Sequence, residues 1–186
     1  MGLTKKLQEI AEAITADREA LLEAVSGLSE AQFDYRPAPD QWSISDILHH
    51  LALADEGSGR LTSMMLKKAG EMNLPPDPAP DASALDCLDQ FAEVLRATRA
   101  EAPDIVAPRS HLSAAESLTK LDASRERLRA NIERLAQYDL SQLNYPHPLL
   151  GTLNLYQWLL IGGRHERRHT AQIGRVKATE NFPNGL

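Results

Sequence analysis

The chain has 186 residues, enough for one domain, residues 1–186, with a sizeable core. With 42% hydrophobic and 25% charged residues and a formal charge of −6, it has ordinary globular composition, and nothing suggests a nucleic-acid partner, which usually needs a basic patch. The single cysteine, Cys87, excludes an internal disulfide framework and fits a reducing compartment. "MGLTKKLQEIAEAI" starts an amphipathic helix without a signal-peptide core, and the longest strongly apolar run, "WLLIGG", is far too short for a bilayer. The expectation is a cytoplasmic protein with no membrane partner.

Leu3, Leu7, Ile10, Ile14, Leu21 and Val25 recur at helical spacing and predict a helix over 3–26. Ser29 with Gln32 forms a capping box for one short turn, and Pro37 and Pro39 then break the chain. Ser43, with Asp46 three residues on, caps a helix over 44–70. Pro75, Pro76, Pro78 and Pro80 forbid helix and favour an extended path. Leu85, Leu88, Phe91, Val94 and Leu95 predict a helix that ends before Pro103. After a loop, Ser113 and Glu116 box the start of a helix carrying Leu118, Leu121, Leu128, Ile132 and Leu135. "NYPHPLLGT" is the last breaker, and the final helix covers 153–178. No strand pattern and no repeat emerge. Helices with one apolar stripe each, joined by loops, predict an all-α antiparallel bundle with short extra helical turns.

The chemistry concentrates in "GGRHERRHTAQIGR", where His165, Glu166 and His169 spell the H-E-x-x-H string of zinc proteases. At about 100° per residue, His165 and His169 fall on the buried stripe with Leu155, Trp158, Gly162, Gln172, Ile173 and Val176. Arg164, Arg167, Arg168 and Arg175 fall off it, as a solvated face or an attractor for an anionic thiol or acidic partner. Residues four apart are helical neighbours, so both rings can meet one ion, and Gly162 leaves room beside His165. Two imidazoles on an apolar stripe need partners, and a metal supplies both. The protease reading is poor: Gln172 and Arg175 stand where a metzincin needs glycine and histidine, and the only downstream carboxylate is Glu180.

A third donor lies in "QWSISDILHHLALAD". His50 is at the edge of that helix's apolar face, roughly 90° from its centre, while His49 points roughly 170° away and reads as a solvated or dimer-surface residue. Glu166 borders the histidines, either as a general base or as a group that orients a histidine or pairs with an arginine. Gln172 is a candidate hydrogen-bond partner for the site or a buried amide tying helices together. Trp42 reads as a core plug, His111 and His147 as loop residues off the metal, and Cys87 as a small buried hydrophobe.

"WSISDILHHLA" followed late in the chain by "HERRHTAQI" resembles the DinB/YfiT superfamily of bacterial metal-binding four-helix bundles. "LSEAQFDYRPAPDQWS" and "HPLLGTLNLYQWLL" extend the likeness over nearly the whole chain. The resemblance implies an up-down-down-up bundle, often a homodimer, with metal ligands His50, His165 and His169. It further implies a thiol-dependent S-transferase, with bacillithiol or a similar low-molecular-weight thiol, or a small-molecule hydrolase. Three neutral imidazoles leave a divalent cation's charge uncompensated, so a water or thiol on it loses its proton more easily. Ligand softness favours zinc and imidazoles also suit nickel and iron, so the expected ion is zinc or nickel, with iron or manganese next. The alternative is a non-catalytic metal- or ligand-binding bundle in stress response, whose ion staples two helices.

Overall fold

The computed structural model describes residues 2–91, 93, 106–108 and 112–184. Four long helices carry the fold: α1 (Lys5–Val25), α3 (Ile44–Glu71), α4 (Ala114–Leu135) and α5 (Leu155–Lys177). A short α2 (Glu30–Asp34) follows α1, and 3-10 turns lie at Leu85–Phe91 and Leu140–Gln142. Among the described residues no helix is long and apolar enough to cross a membrane. Val94, Leu95 and His111 of the expected elements lie outside the described residues.

The helix starts follow their caps. Ser29, Ser43 and Ser113 each accept from the third backbone N–H, while Gln32, Asp46 and Glu116 reach back to the cap nitrogen. Asn154 and Gln157 make the same reciprocal box for α5, which the sequence reading did not identify. Each box satisfies backbone donors that a helix start otherwise leaves open.

Cross-helix pairs give the directions. Along α1 and α5, Ile14 lies against Gly163, Arg18 against Glu166, and Ala24 against Lys177, so these two helices run parallel. Thr62 and Ser63 meet Asn131, and seven residues beyond Ser63 and Asn131 Tyr138 approaches Gly70, so α3 and α4 are also parallel. Trp42 lies against His169 while Leu61 shares a cavity with Trp158, so α3 and α5 are antiparallel. The order is therefore up-down-down-up. Parallel neighbours need a long return, and the proline-rich stretch after α3 starts it, tied down where Lys5 N–H donates to Pro80 and Asp139 N–H to Pro75.

The expectation of no strands is corrected. Asn144–His147 (β1) and Gly151–Asn154 (β2) form an antiparallel hairpin, with His147 opposite Gly151. The strands are short and β1 contains Pro146, which a two-stranded ribbon tolerates because the proline nitrogen can face outward. A three-residue loop closes on Gly151, whose φ of 73° is the left-handed conformation such a turn requires.

The core divides in two. One cluster, the upper, includes Leu7, Ile10, Met65, Leu88, Leu135 and Leu159; the other, the lower, includes Leu21, Val25, Ile47, Leu51, Leu121 and Ile173. Between them lies a layer of polar side chains from all four long helices. That layer and the lower cluster frame the candidate site.

Candidate metal centre

His50 comes from the second turn of α3, fixed by the Ser43–Asp46 box; His165 and His169 come from one face of α5, a turn apart. The Nε2 atoms converge: His50 to His165 at 3.1 Å and His169 to His165 at 3.2 Å. Among the described residues these form the only set of three or more histidine, cysteine or carboxylate groups within mutual ligand distance.

The opposite ring nitrogens decide what those Nε2 atoms can do. His50 Nδ1 lies 2.8 Å from the Val106 carbonyl, which only accepts, so this nitrogen carries the proton and Nε2 keeps a lone pair. His169 Nδ1 stands in the same relation to Gln172 Oε1, also at 2.8 Å. Two lone pairs therefore face His165 Nε2, which could donate a single proton to only one of them. A cation at the centre satisfies all three. With metal–nitrogen bonds of about 2.0–2.1 Å, ligand nitrogens stand about 2.9 Å apart at right angles and about 3.3 Å apart at tetrahedral angles. The observed separations fall between these values, so the residues fit a divalent ion.

Burial pushes all three imidazoles below the ordinary histidine range. His50 is lowered, His165 well below, with His169 and His50 adding to the burial effect, and His169 falls to about 4. The rings are thus neutral at pH 7, the state a ligand needs.

Several neighbours sit differently from the sequence expectation. His49, expected in solvent, is buried at 6% exposure. The reason is that α2 and α4 both pack on α3, so Ile44, Ser45, Ile47, Leu48, His49, His50, Leu51 and Ala52 are all buried and the helix has no solvent face there. Trp42 does pack on the lower core, but it also lies against the site, with its ring centroid 5.0 Å from His50 and 6.3 Å from His169. His147 is outside the cluster, on β1, with its ring 4.9 Å from Trp158. Cys87 is half-buried and burial raises its thiol pKa.

Glu166 is 1% exposed, and its carboxylate points into an ion-pair layer. Arg18 donates to Glu166 Oε1 through both Nε and Nη2, and Arg125 Nη2 donates to Oε2 at 2.9 Å. Arg18 Nη2 also reaches Asp55 at 2.6 Å, and its Nη1 donates to the Leu121 carbonyl at 2.9 Å. Of the two roles weighed for Glu166, the structure shows the arginine pairing. The partners come from other helices, and each carboxylate oxygen accepts at least one of these bonds. Sequence reasoning missed Arg18, although its position was marked: Ile14, Arg18, Leu21 and Val25 keep helical spacing, so a charge stands in the apolar stripe.

The sequence pattern of the DinB superfamily matches residues 13–173. The chain belongs to that superfamily. This DinB-superfamily chain is 28% identical over 163 residues to the uncharacterized protein YuaE of Bacillus subtilis, covering 86% of this chain and 93% of that protein. It is 26% identical over 177 residues to a Geobacillus kaustophilus protein named "Putative metal-dependent hydrolase GK0616", covering 95% of this chain and 87% of the relative. Among solved structures it is similar to TT2238, a four-helix bundle protein, with a TM-score of 0.61 at 20% identity, covering 91% of this chain and 98% of TT2238. At that identity the likeness speaks to the fold.

Proposed function

We propose that His50, His165 and His169 hold one divalent metal ion and that the chain is a metal-dependent enzyme acting on a small molecule. The convergence of three Nε2 atoms, two of them with their second ring nitrogen committed to an oxygen acceptor, carries this reading. Superfamily membership and the metal-dependent hydrolase name borne by the Geobacillus relative support it. Zinc or nickel suits three imidazoles best.

The cation would supply Lewis acidity at full charge, easing proton loss from a bound water or thiol. The chain's own residues do the rest. Val106 and Gln172 fix the two outer rings and their tautomers. Trp42 walls the site with an aromatic face on the side of His50 and His169. Three donors among the described residues fall short of a closed four-ligand structural site, which favours catalysis over a purely structural ion. Hydrolysis of a small substrate and transfer of a low-molecular-weight thiol are the two reactions this arrangement serves. The homodimer belongs to the same proposal, and light scattering in solution tests it.

Metal content of purified wild-type protein and of His169→Ala checks the proposal. Stoichiometric metal in the wild type and a loss of most of it in the variant are expected. Equal metal in both would refute the site. Hydrolytic and thiol-conjugation screens, run on chelated and metal-restored protein, then separate the two reactions.

A further inference from the structure

We infer that Arg18 is a positioning residue for the metal centre: its one guanidinium sets the spacing between the helix that carries His50 and the helix that carries His165 and His169. The inference rests on the metal-binding reading above and deepens it.

Arg18 belongs to α1, which contributes no ligand. It is 5% exposed and its side chain spends its donors on the three other long helices. On α3 it holds Asp55, five residues beyond His50, or about 7.5 Å along the helix axis. On α5 it holds Glu166, which adjoins His165 and lies within a turn of His169. On α4 it holds the Leu121 carbonyl. Asp55 and Glu166 are both acidic, and the guanidinium between them offsets their repulsion and ties the two ligand-bearing helices to one group, with Arg125 also paired to Glu166.

Apolar packing is incomplete on the Gly162 side of this level. Gly162 on α5 has no neighbour within 4 Å of where a Cβ would stand. A cavity of about 20 Å³ lies there, bordered by Asp55, Ser58, Leu61, Arg125, Trp158 and Gly162. A metal–ligand bond tolerates only about 0.2 Å of error, a tolerance that a directional polar bridge across this gap helps to hold. Stability is also a poor reason to keep so buried a charge network, because apolar replacements of similar volume are often as stable or more so. A fixed distance between two helices is what a bridging guanidinium provides and an apolar side chain does not.

Two variants test this. Arg18→Lys keeps the charge but replaces a planar fork by a single ammonium, which does not hold Asp55, Glu166 and Leu121 together. Asp55→Asn weakens only the α3 end, from a charge-assisted to a neutral hydrogen bond, keeps the volume, and removes a carboxylate whose charge burial already disfavours. Each is titrated with Co(II) against a competing chelator, with helical circular dichroism as the check on folding and the visible ligand-field spectrum as the readout of geometry. Both are expected to stay helical, to bind Co(II) about 10–100-fold more weakly, and to show an altered ligand-field spectrum. Folded variants with wild-type affinity and spectrum would overturn the inference. Should Arg18→Lys not fold, Asp55→Asn decides by the same two readings. Wild-type protein that takes up no Co(II) would instead overturn the metal centre itself, and the role of Arg18 with it.

Discussion

Two adjacent glycines on α5 look alike in the sequence and do opposite things. A Cβ on Gly163 would stand 2.9 Å from Asp17 Oδ2, 3.0 Å from Ile14 Cγ2 and 3.4 Å from Ile14 Cα, whereas one on Gly162 meets nothing within 4 Å. The Ile14 backbone limits how far α1 can give way at Gly163. Gly163→Ala is therefore expected to destabilise the fold by about 1–3 kcal/mol, beyond what helix propensity returns. Gly162→Ala should stabilise it by up to about 1 kcal/mol. Urea unfolding midpoints of the two variants check both signs. The pair also marks a limit of sequence reading. Gly162 was singled out as room beside a histidine, and the structure does leave space there. That Gly163 is where α1 and α5 touch depends on a neighbour more than 140 positions away, which no local pattern encodes. The histidines were more legible, because their spacing and stripe lie within one helix.

For the helices, the apolar repeats and capping serines were enough to find the four long elements. Their observed starts at Lys5, Ile44, Ala114 and Leu155 lie within two residues of the expected ones. Wheel reasoning failed where its premise failed. A helix with one apolar stripe assumes one buried face, yet α3 near its start is covered on several sides, which buries His49, and α5 is flanked by α1 and α3, which buries Glu166. The hairpin escaped because four-residue strands with a proline give no alternation to detect. The polar layer joining the helices has its own pH signature. Burial and the nearby Glu166 carboxylate push Asp55 up to about 6, against the pull of Arg18 and Arg125. The folded chain thus binds this proton more tightly than the unfolded chain, so Asp55 costs stability as pH rises from about 4 through 6. Relative to Asp55→Asn, which is neutral throughout, the wild type should lose about 3 kcal/mol across that interval. Denaturation of both proteins at several pH values in the absence of metal measures the difference, and a flat difference would refute the assignment.

Across the whole molecule, the proposed metal site depends on residues from two helices far apart in the chain. His50 and His165 are far apart in the chain, and α5 is the last long helix to be made, so the three ligands exist together only in the assembled bundle. Metal should bind the native state and not the unfolded one. Stripping it with a chelator is then expected to lower the thermal midpoint, and restoring it at 100-fold over the dissociation constant should return about 2.7 kcal/mol. Melting curves of chelated and metal-restored protein test this, with His169→Ala expected to show no metal-dependent shift.

The hydrogen bond between His50 and Val106 has a consequence for how this site can vary. The acceptor is main chain, so no side-chain replacement at residue 106 abolishes it; only a different path for the α3–α4 crossover does. An insertion or deletion in that connection, far from any ligand in sequence, would withdraw the oxygen that selects the imidazole's tautomer. Affinity for the proposed ion is thereby adjustable from this connection while every coordinating residue stays the same.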